Sequence, residues 1–480
     1  MKVKDYLKSF IYSIWFIRLT NFLCITLILL LIKNRFYMND EYWYAIVLDR
    51  GIKTFHNFHI LSNPVSNITW LFVTLFGLKI SAFRILQISN SVVAAMGATA
   101  LIDLGMFWGL KRPRAILFSA PIILCNGFIR YATSAYPGAL AMGVGLIGLN
   151  LLVRGVESFI SNNGKPKLLF VSGMVLGLAG LMHLAFVGVI PALLFAIVLV
   201  LSRNKINLSS RVRVSLFCLA GFLLVIGFAY VIFLPLCTKF FPGQVEYFKI
   251  SDSGLSQSLL FTILSGNNVK WLPNLSNLFI SFKTLGALFI SGVHSNNIIL
   301  DKIFDLPRVF SFILLAYFTI KVILNKEKYW KLSSWVFAFI ISLVCELALI
   351  LFSDFSQCRQ YVVISLSVLG PMFVAGMIIA FGNKKSCFPV VIFLCIMIFH
   401  LISGVEGIID ITSHDNRPFM KLYSHCDVHI PKFATLPFVN RDNNLKQVSD
   451  CNWITAYGAF GPSVDFLSQD NDKLLRKNKP

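Results

Sequence analysis

The chain has 480 residues, of which 56% are hydrophobic and 14% are charged, and its mean hydropathy is +0.74. These values exclude an ordinary soluble globular protein, because the apolar residues far exceed what one water-soluble core needs. The 43 Lys and Arg against 22 Asp and Glu give a formal charge of +21. The basic residues lie mainly in short links between apolar stretches, as in membrane proteins, and no basic face interleaved with stacking aromatics indicates a nucleic-acid partner.

The apolar stretches predict an all-α, polytopic integral membrane protein with about eleven transmembrane helices. The first stretch, 11–32, is too long for a cleavable signal sequence and is interpreted as a retained first span. The predicted spans, in chain order, are 11–32, 82–109, 115–130, 136–153, 168–182, 184–201, 214–236, 309–324, 333–352, 360–381 and 388–405.

The links between these spans alternate in charge, and this alternation predicts the orientation. Basic links, from Lys2 to Lys385, lie on one side, which the positive-inside rule makes cytoplasmic. We therefore expect a cytoplasmic N-terminus and a C-terminus on the opposite, periplasmic side. Membrane lipids are its immediate partners.

The predicted domains are a transmembrane catalytic domain, 1–405, and a periplasmic tail, 406–480. Two large periplasmic loops, 33–81 and 237–308, belong to the first domain. The apolar stretch 65–77 is too short to span and predicts an interfacial helix. The stretch 275–293 is a second interfacial or re-entrant element, and whether it crosses is left open.

The first periplasmic loop opens with adjacent carboxylates. Residues 38–45 read Met-Asn-Asp-Glu-Tyr-Trp-Tyr-Ala, so Asp40 and Glu41 lie just beyond the first span. If this stretch is helical, Asp40 and Tyr44 share one face, and the carboxylate can serve as a general base toward an acceptor hydroxyl. The alternative is a solvated interfacial turn in which the aromatic residues lie at headgroup depth.

Further short motifs follow in a defined order. The motifs are Ser62-Asn63-Pro64, Ser81-Ala82-Phe83-Arg84-Ile85-Leu86, Arg130-Tyr131-Ala132 with Tyr136-Pro137, Gly173 to Leu181 with His183, and Arg359-Gln360-Tyr361. This order resembles that of the GT-C glycosyltransferases, in particular the bacterial aminoarabinose transferases and the protein O-mannosyltransferase relatives. Size and composition also resemble the O-antigen-modifying glucosyltransferases.

The resemblance implies an inverting transferase that uses a polyprenyl-phosphate sugar on the periplasmic side, with Asp40 at the catalytic position and Glu41 beside it. Arg359 is the main candidate for the donor phosphate, because guanidinium binds phosphate in a bidentate manner. Arg84 and Arg130 match family positions at outer helix ends. Each of these arginines has the alternative of being an interfacial anchor.

Two histidines mark departures from the family pattern. His183 stands where a Lys is common, which makes it a candidate phosphate contact, and His59 lies near a position where the family often has an acid. Asp40, Glu41 and His59 are the candidate ligands of a divalent metal ion, although these departures put a bound metal in doubt. The alternative for both histidines is an ordinary hydrogen-bonded side chain.

Two acids fall within predicted spans. Glu346 is a functional candidate because an intramembrane acid is costly unless it is used or paired. Asp103 is interpreted as a headgroup-level residue near the cytoplasmic end, with little bearing on the outer chemistry.

The predicted function is transfer of a hexosyl or pentosyl group from a lipid-linked donor to an envelope acceptor. The acceptor is a lipopolysaccharide, O-antigen or lipid A component, and less favourably a protein. The first alternative is a secondary transporter or flippase of a lipid-linked envelope precursor, which also has many spans and intramembrane acids. The second is a non-enzymatic scaffold that binds partners through its tail.

Overall fold

The structure is a computed structural model of the chain. It describes residues 14–32, 34, 44, 48, 55–56, 60–78, 80–162, 167–240, 245–246, 330–350 and 355–381, with single positions between 391 and 412. Asp40, Glu41 and His59 lie outside the described residues, as do most of the loop 237–308 and the tail 406–480.

Helices make up nearly all of the described chain. The described chain also contains one 3₁₀ turn, Leu184–Gly188, and one π-helical segment, Phe228–Phe233. The helices are α1 Ile14–Leu31, α2 Ser62–Leu75, α3 Ala82–Phe107, α4 Arg112–Ile123, α5 Asn126–Ala132, α6 Gly138–Asn162, α7 Lys167–Met182, α8 Val189–Arg203, α9 Leu208–Gly227, α10 Leu234–Phe240, α11 Trp330–Ile350 and α12 Phe355–Phe381.

Several of these helices are candidate membrane spans. Among the described residues, four helical stretches are long and apolar enough to cross a membrane, and a fifth forms if α4 and α5 count as one span. The sequence predicts one continuous span at 115–130, whereas α4 and α5 are bent by 79°. The chain is thus a helical, multi-pass membrane protein, and the number eleven stays a prediction.

Glycines allow the helices to approach closely. A Cβ atom on Gly97 of α3 would lie 2.7 Å from the Cα atom of Gly143 in α6. A Cβ atom on Gly221 of α9 would lie 2.1 Å from the carbonyl oxygen of Phe170 in α7. Inside a bilayer, helix association depends on such close packing, because lipid is as apolar as the side chains. These two crossings set the spacing of the bundle.

α1 and α3 run antiparallel, which defines two ends of the bundle. At one end, the Arg84 guanidinium of α3 donates to the carbonyl oxygen of Leu30 in α1. At the other end, Arg18 of α1 pairs with Asp103 of α3. We name them the Arg84 end and the Asp103 end, and the 19 residues between these two positions of α3 span roughly 28 Å.

Asp103 lies at the end of α3 opposite Arg84 and is only 5% exposed. Its depth at headgroup level stays a prediction, and the structure adds the partners of its side chain. Arg18 reaches it at 3.0 Å and Arg154 of α6 at 2.7 Å, and the Asn150 side-chain amide donates to it at 3.2 Å. A buried carboxylate needs such partners. Asp103 therefore joins α1, α3 and α6.

The first loop contains α2, in agreement with the short apolar helix predicted there. Its 14 residues span roughly 21 Å, which is less than the bilayer core. Large apolar side chains, including Ile68, Phe72 and Leu75, are exposed along it. A two-residue parallel ladder pairs Phe55 with Val245 and so joins this loop to the segment after α10.

Candidate functional site

A cleft lies at the Arg84 end of the bundle. It is bordered by the first loop with its helix α2, by α3, and by the turn that leads into α6. The cleft is shallow: its enclosed volume is about 10 Å³, room for one water molecule, and the space around it amounts to about 270 Å³ when open solvent is counted. None of its lining residues is charged, and the polar ones are hydroxyl or amide side chains. The lining consists of Tyr44, Ser62, Ser66, Leu86, Asn90, Ala135, Pro137 and Leu140.

Side chains of α3 build one wall of the cleft. The Asn90 amide nitrogen donates to the carbonyl oxygens of Ser134 at 2.7 Å and Tyr136 at 2.8 Å. The Ser91 hydroxyl donates to the carbonyl oxygen of Ala132 at 2.9 Å. The turn between α5 and α6 has no helical partners for these carbonyls, so α3 supplies the donors that hold it.

Ser62 and Ser66 contribute hydroxyls from the first turns of α2. The Ser66 hydroxyl donates to the carbonyl oxygen of Ser62 at 2.9 Å, which leaves the oxygen lone pairs of Ser66 as acceptors. Both residues are buried, as is Tyr44 of the first loop. Hydroxyl groups that can accept or donate hydrogen bonds therefore line this cleft.

His183 lies behind the cleft wall. Its Nε2 atom is 2.9 Å from the Tyr136 hydroxyl, and each residue is 1% exposed. The rings are also in an edge-to-face arrangement, with centroids 5.9 Å apart. Since Tyr136 precedes Pro137 of the cleft, this pair fixes the end of α7 against the cleft wall. His183 is not among the residues that line the cleft, and its role as a phosphate contact stays a prediction.

The Arg84 side chain and the Arg130 backbone belong to one polar network beside the cleft. The Arg84 guanidinium donates to Gln87 Oε1 at 3.1 Å, and the Gln87 amide donates to the carbonyl oxygen of Asn34 at 2.9 Å. The Asn34 amide in turn donates to the carbonyl oxygen of Arg130 at 3.3 Å and to Thr133 Oγ1 at 3.2 Å. Three separate segments therefore bring both arginines to the Arg84 end.

The remaining site predictions have a partial structural description. The backbone of Arg359 lies in the first turns of α12 and that of Glu346 in α11, while neither side chain is described. Within the described ranges, no group of three or more His, Cys, Asp and Glu side chains is placed to hold a metal ion. The predicted ligands Asp40, Glu41 and His59 fall outside those ranges, so the divalent metal ion stays a prediction.

Three amide side chains hold the segments around the cleft through their hydrogen bonds and are not predicted from the sequence. They are Asn34, Gln87 and Asn90. Gln87 and Asn90 are 4% and 2% exposed within a span. The available signal is the polar cluster Gln87, Ser89, Asn90 and Ser91 in the first turns of an otherwise apolar helix. Polar side chains buried in a membrane helix require partners, which makes such a cluster informative.

Comparisons with known proteins give structural neighbours. No family model matches the chain, and no curated protein matches it. An oligosaccharyltransferase of Archaeoglobus fulgidus, solved with a tethered acceptor peptide, aligns over 88% of this chain at 12% identity, with a TM-score of 0.47. This chain covers 58% of the archaeal protein.

A second neighbour is ArnT from Cupriavidus metallidurans in the apo state. It aligns over 75% of this chain and 78% of its own, at 12% identity, with a TM-score of 0.31. Both neighbours are GT-C glycosyltransferases, as the sequence resemblance predicts. Since both TM-scores lie below 0.5, the function proposed next rests on the residues of this chain.

Proposed function

We propose that the chain is a membrane glycosyltransferase that moves one sugar from a polyprenyl-phosphate donor to an acceptor of the cell envelope. The observation that carries this proposal is the set of uncharged polar side chains Tyr44, Ser66 and Asn90 around the cleft, with the Arg84 guanidinium at the same end of the bundle and the Arg130 backbone in the same hydrogen-bond network. Hydroxyl and amide groups recognise a sugar, whereas guanidinium groups recognise its phosphate. A lipid-linked sugar combines these two chemistries with a tail that lies in the bilayer.

The catalytic carboxylate in this proposal is Asp40. It precedes Tyr44 of the cleft by four residues, and four residues span at most about 14 Å, so chain connectivity sets that upper limit on the distance between the two positions. As general base, Asp40 takes the proton of the acceptor hydroxyl while the hydroxyl oxygen attacks the anomeric carbon. Glu41 is the neighbouring carboxylate.

The leaving group defines the role of the cations. The bond between the anomeric carbon and the phosphate oxygen breaks, and its electron pair leaves on the polyprenyl phosphate. Attack from the opposite face inverts the anomeric configuration. Positive groups stabilise the charge that grows on the phosphate oxygens. Arg84 and Arg130 belong to a connected network at this end, and Arg359 is proposed as the bidentate phosphate ligand.

The finer assignments follow the sequence resemblance. The donor sugar is a hexosyl or pentosyl group, and the acceptor is a lipopolysaccharide, O-antigen or lipid A component more readily than a protein. The active side faces the periplasm of a bacterial inner membrane. Supporting this orientation, the basic residues Lys111, Arg112 and Arg114 lie at the start of α4, beyond the Asp103 end.

Transfer by the purified full-length chain tests the proposal. The protein is placed in lipid nanodiscs with a panel of polyprenyl-phosphate sugars, and release of free polyprenyl phosphate is measured with and without envelope glycolipid acceptors. We expect acceptor-dependent release from one donor class. The matched control is Asp40→Asn, which keeps the side-chain shape and loses the base.

The same preparation separates the enzyme from a flippase. A fluorescent lipid-linked sugar that moves between leaflets with its glycosidic bond intact, with no release of polyprenyl phosphate from any donor, would replace the transferase with a transporter. If the protein binds envelope glycans but neither transfers sugar nor moves the lipid-linked sugar between leaflets, it is a scaffold.

A further inference from the structure

A second cluster of polar residues lies at the Asp103 end, far from the cleft, and the proposed transferase chemistry does not use it. Arg112 begins α4, and its guanidinium donates to Asn21 Oδ1 of α1 at 2.9 Å. Asn21 lies three residues after Arg18, so both side chains share one face of α1. The cluster therefore continues from Asp103 to the start of α4.

The cluster contains hydrogen-bond donors that lack acceptors. Asn21 is 5% exposed, and its amide nitrogen has no hydrogen-bond partner among the residues that the structure describes. The amide orientation is set by Arg112, because guanidinium has no acceptor and must face the amide oxygen. Within the same described ranges, Arg112 Nε and Trp108 Nε1 are also buried atoms without a partner. Three donors without acceptors are costly unless an acceptor-rich group completes them.

Electrostatics favours an anion at this position. The guanidinium groups of Arg18 and Arg154 share one carboxylate, Asp103, while Arg112 bonds the neutral Asn21 amide and has no carboxylate partner among the described residues. Three guanidinium groups with one carboxylate leave an excess of two positive charges. The first-turn amides of α4 add the positive end of a 12-residue helix. Phosphate offers several acceptor oxygens with negative charge, and this combination satisfies both the donors and the charge.

We propose that the corner formed by Asn21, Trp108 and Arg112 binds the phosphate group of an anionic membrane lipid. Trp108 ends α3 and Arg112 begins α4, so the corner lies where a membrane span meets the headgroup layer. Basic pockets between helices at this depth are suited to anionic headgroups. The site is independent of the transferase reaction, because it lies at the opposite end of α3 from the cleft.

Lipid retention by the delipidated full-length protein tests the proposal. The protein in detergent is titrated with phosphatidylglycerol or with phosphatidylcholine of the same acyl chains, and bound lipid is counted by native mass spectrometry. We expect preferential retention of one phosphatidylglycerol molecule. Arg112→Gln should weaken this retention roughly fivefold, the effect of about one charge near an anionic lipid.

Arg213→Gln is the matched control for charge. Arg213 is exposed near the start of α9, where Asn207 accepts from the Ser210 amide and so caps the helix. It lies at the same end of the bundle, since α8 leads away from His183 and α9 begins after the following turn. An equal loss in Arg112→Gln and Arg213→Gln, or equal retention of both lipids, would overturn the site.

Asn21→Leu tests the unpartnered donor without removing a charge. We expect weaker lipid retention together with an unchanged or higher melting temperature in lipid-free detergent, because an apolar group of similar size replaces a buried amide. Unchanged retention would contradict the proposal. Inorganic phosphate forms the last arm. If it stabilises the protein as much as phosphatidylglycerol does, the ligand is a soluble phosphate and the lipid assignment is wrong.

Discussion

The buried polar side chains at the two ends of α3 have different kinds of partners. At the Arg84 end, amide and hydroxyl side chains such as Gln87 and Asn90 donate to backbone carbonyls of neighbouring segments. At the Asp103 end, Arg18 and Arg154 pair directly with a buried carboxylate. The first arrangement shapes chain turns around an open cleft, whereas the second clamps three helices together.

Because the two ends are held together differently, we expect substitutions at each end to have different effects on stability and catalysis. Neutral hydrogen bonds contribute modestly to stability, so a cleft built from them tolerates substitution while its chemistry changes. A buried ion pair is costly to break, because the remaining charge loses its partner. We therefore expect substitutions at the Arg84 end to affect catalysis and substitutions at the Asp103 end to affect stability.

The largest effect is expected from Asp40→Asn. Loss of a general base lowers turnover by about 10² to 10⁴, with expression and membrane insertion unchanged. Glu41→Gln is the matched neighbour and should be milder, unless Glu41 binds a metal, in which case a chelator would abolish the activity of the unmodified protein. Near-normal sugar transfer by well-expressed Asp40→Asn would remove Asp40 from the mechanism.

Asp103→Asn should lower stability more than it lowers turnover per folded molecule. Two arginines lose their carboxylate, and we expect a cost of about 3 kcal/mol, at the low end for a buried pair because the Arg18 and Arg154 side chains are 26% and 23% exposed. Thermal unfolding in detergent measures the change. If stability is retained while transfer fails, the division between the two ends is wrong.

Gly97→Ala perturbs the helix crossing between the two ends. Its new Cβ atom would lie 2.7 Å from the Gly143 Cα atom, so α3 and α6 must separate, at a cost of about 1–3 kcal/mol. Gly227→Ala is the control, since no heavy atom lies within 4 Å of a Cβ atom there. The control should be neutral or stabilising by up to about 1 kcal/mol. Equal melting temperatures for the two variants would contradict the close crossing.

Arg359→Lys distinguishes phosphate binding from membrane anchoring. The charge remains but the planar guanidinium is lost, so we expect donor affinity to fall roughly tenfold, with a larger fall in Arg359→Ala. Donor titrations in nanodiscs measure the affinity. If donor affinity is unchanged in both variants, Arg359 is a membrane anchor and does not bind the donor phosphate.

The smallest effect is expected from Ser66→Ala, which removes one hydroxyl from the cleft lining. A single neutral hydrogen bond corresponds to about 0.5–1.5 kcal/mol, so kcat/KM should fall about two- to tenfold. Thr74→Ala is the control on the same helix. Like Ser66, the Thr74 hydroxyl donates to a carbonyl oxygen one turn earlier, that of Trp70 at 3.0 Å, but it is exposed and does not line the cleft. A similar change in both variants would show that the cleft does not contact the sugar.

Hydropathy and charge alone predict the membrane character and most of the described helices. A span must be a helix, because every backbone polar group in lipid needs an internal partner, and apolar length then locates it. The same logic locates the short helix α2. It misses the bend between α4 and α5, because Pro121 and the break at Leu124 act through backbone geometry that average hydropathy does not report.

The partners of the polar side chains were decided by the tertiary structure. The sequence identifies Arg84, Arg130 and His183 as candidates by their positions at helix ends, yet it does not pair Arg84 with Gln87 or His183 with Tyr136. Likewise, the sequence does not pair Asp103 with Arg18, which lies 85 positions earlier in the chain. The apolar pattern is a property of each helix by itself. A hydrogen bond between two helices depends instead on how the helices are rotated and how closely they approach. Glycine contacts such as Gly97 with Gly143 determine that approach, and they exist only in the packed bundle.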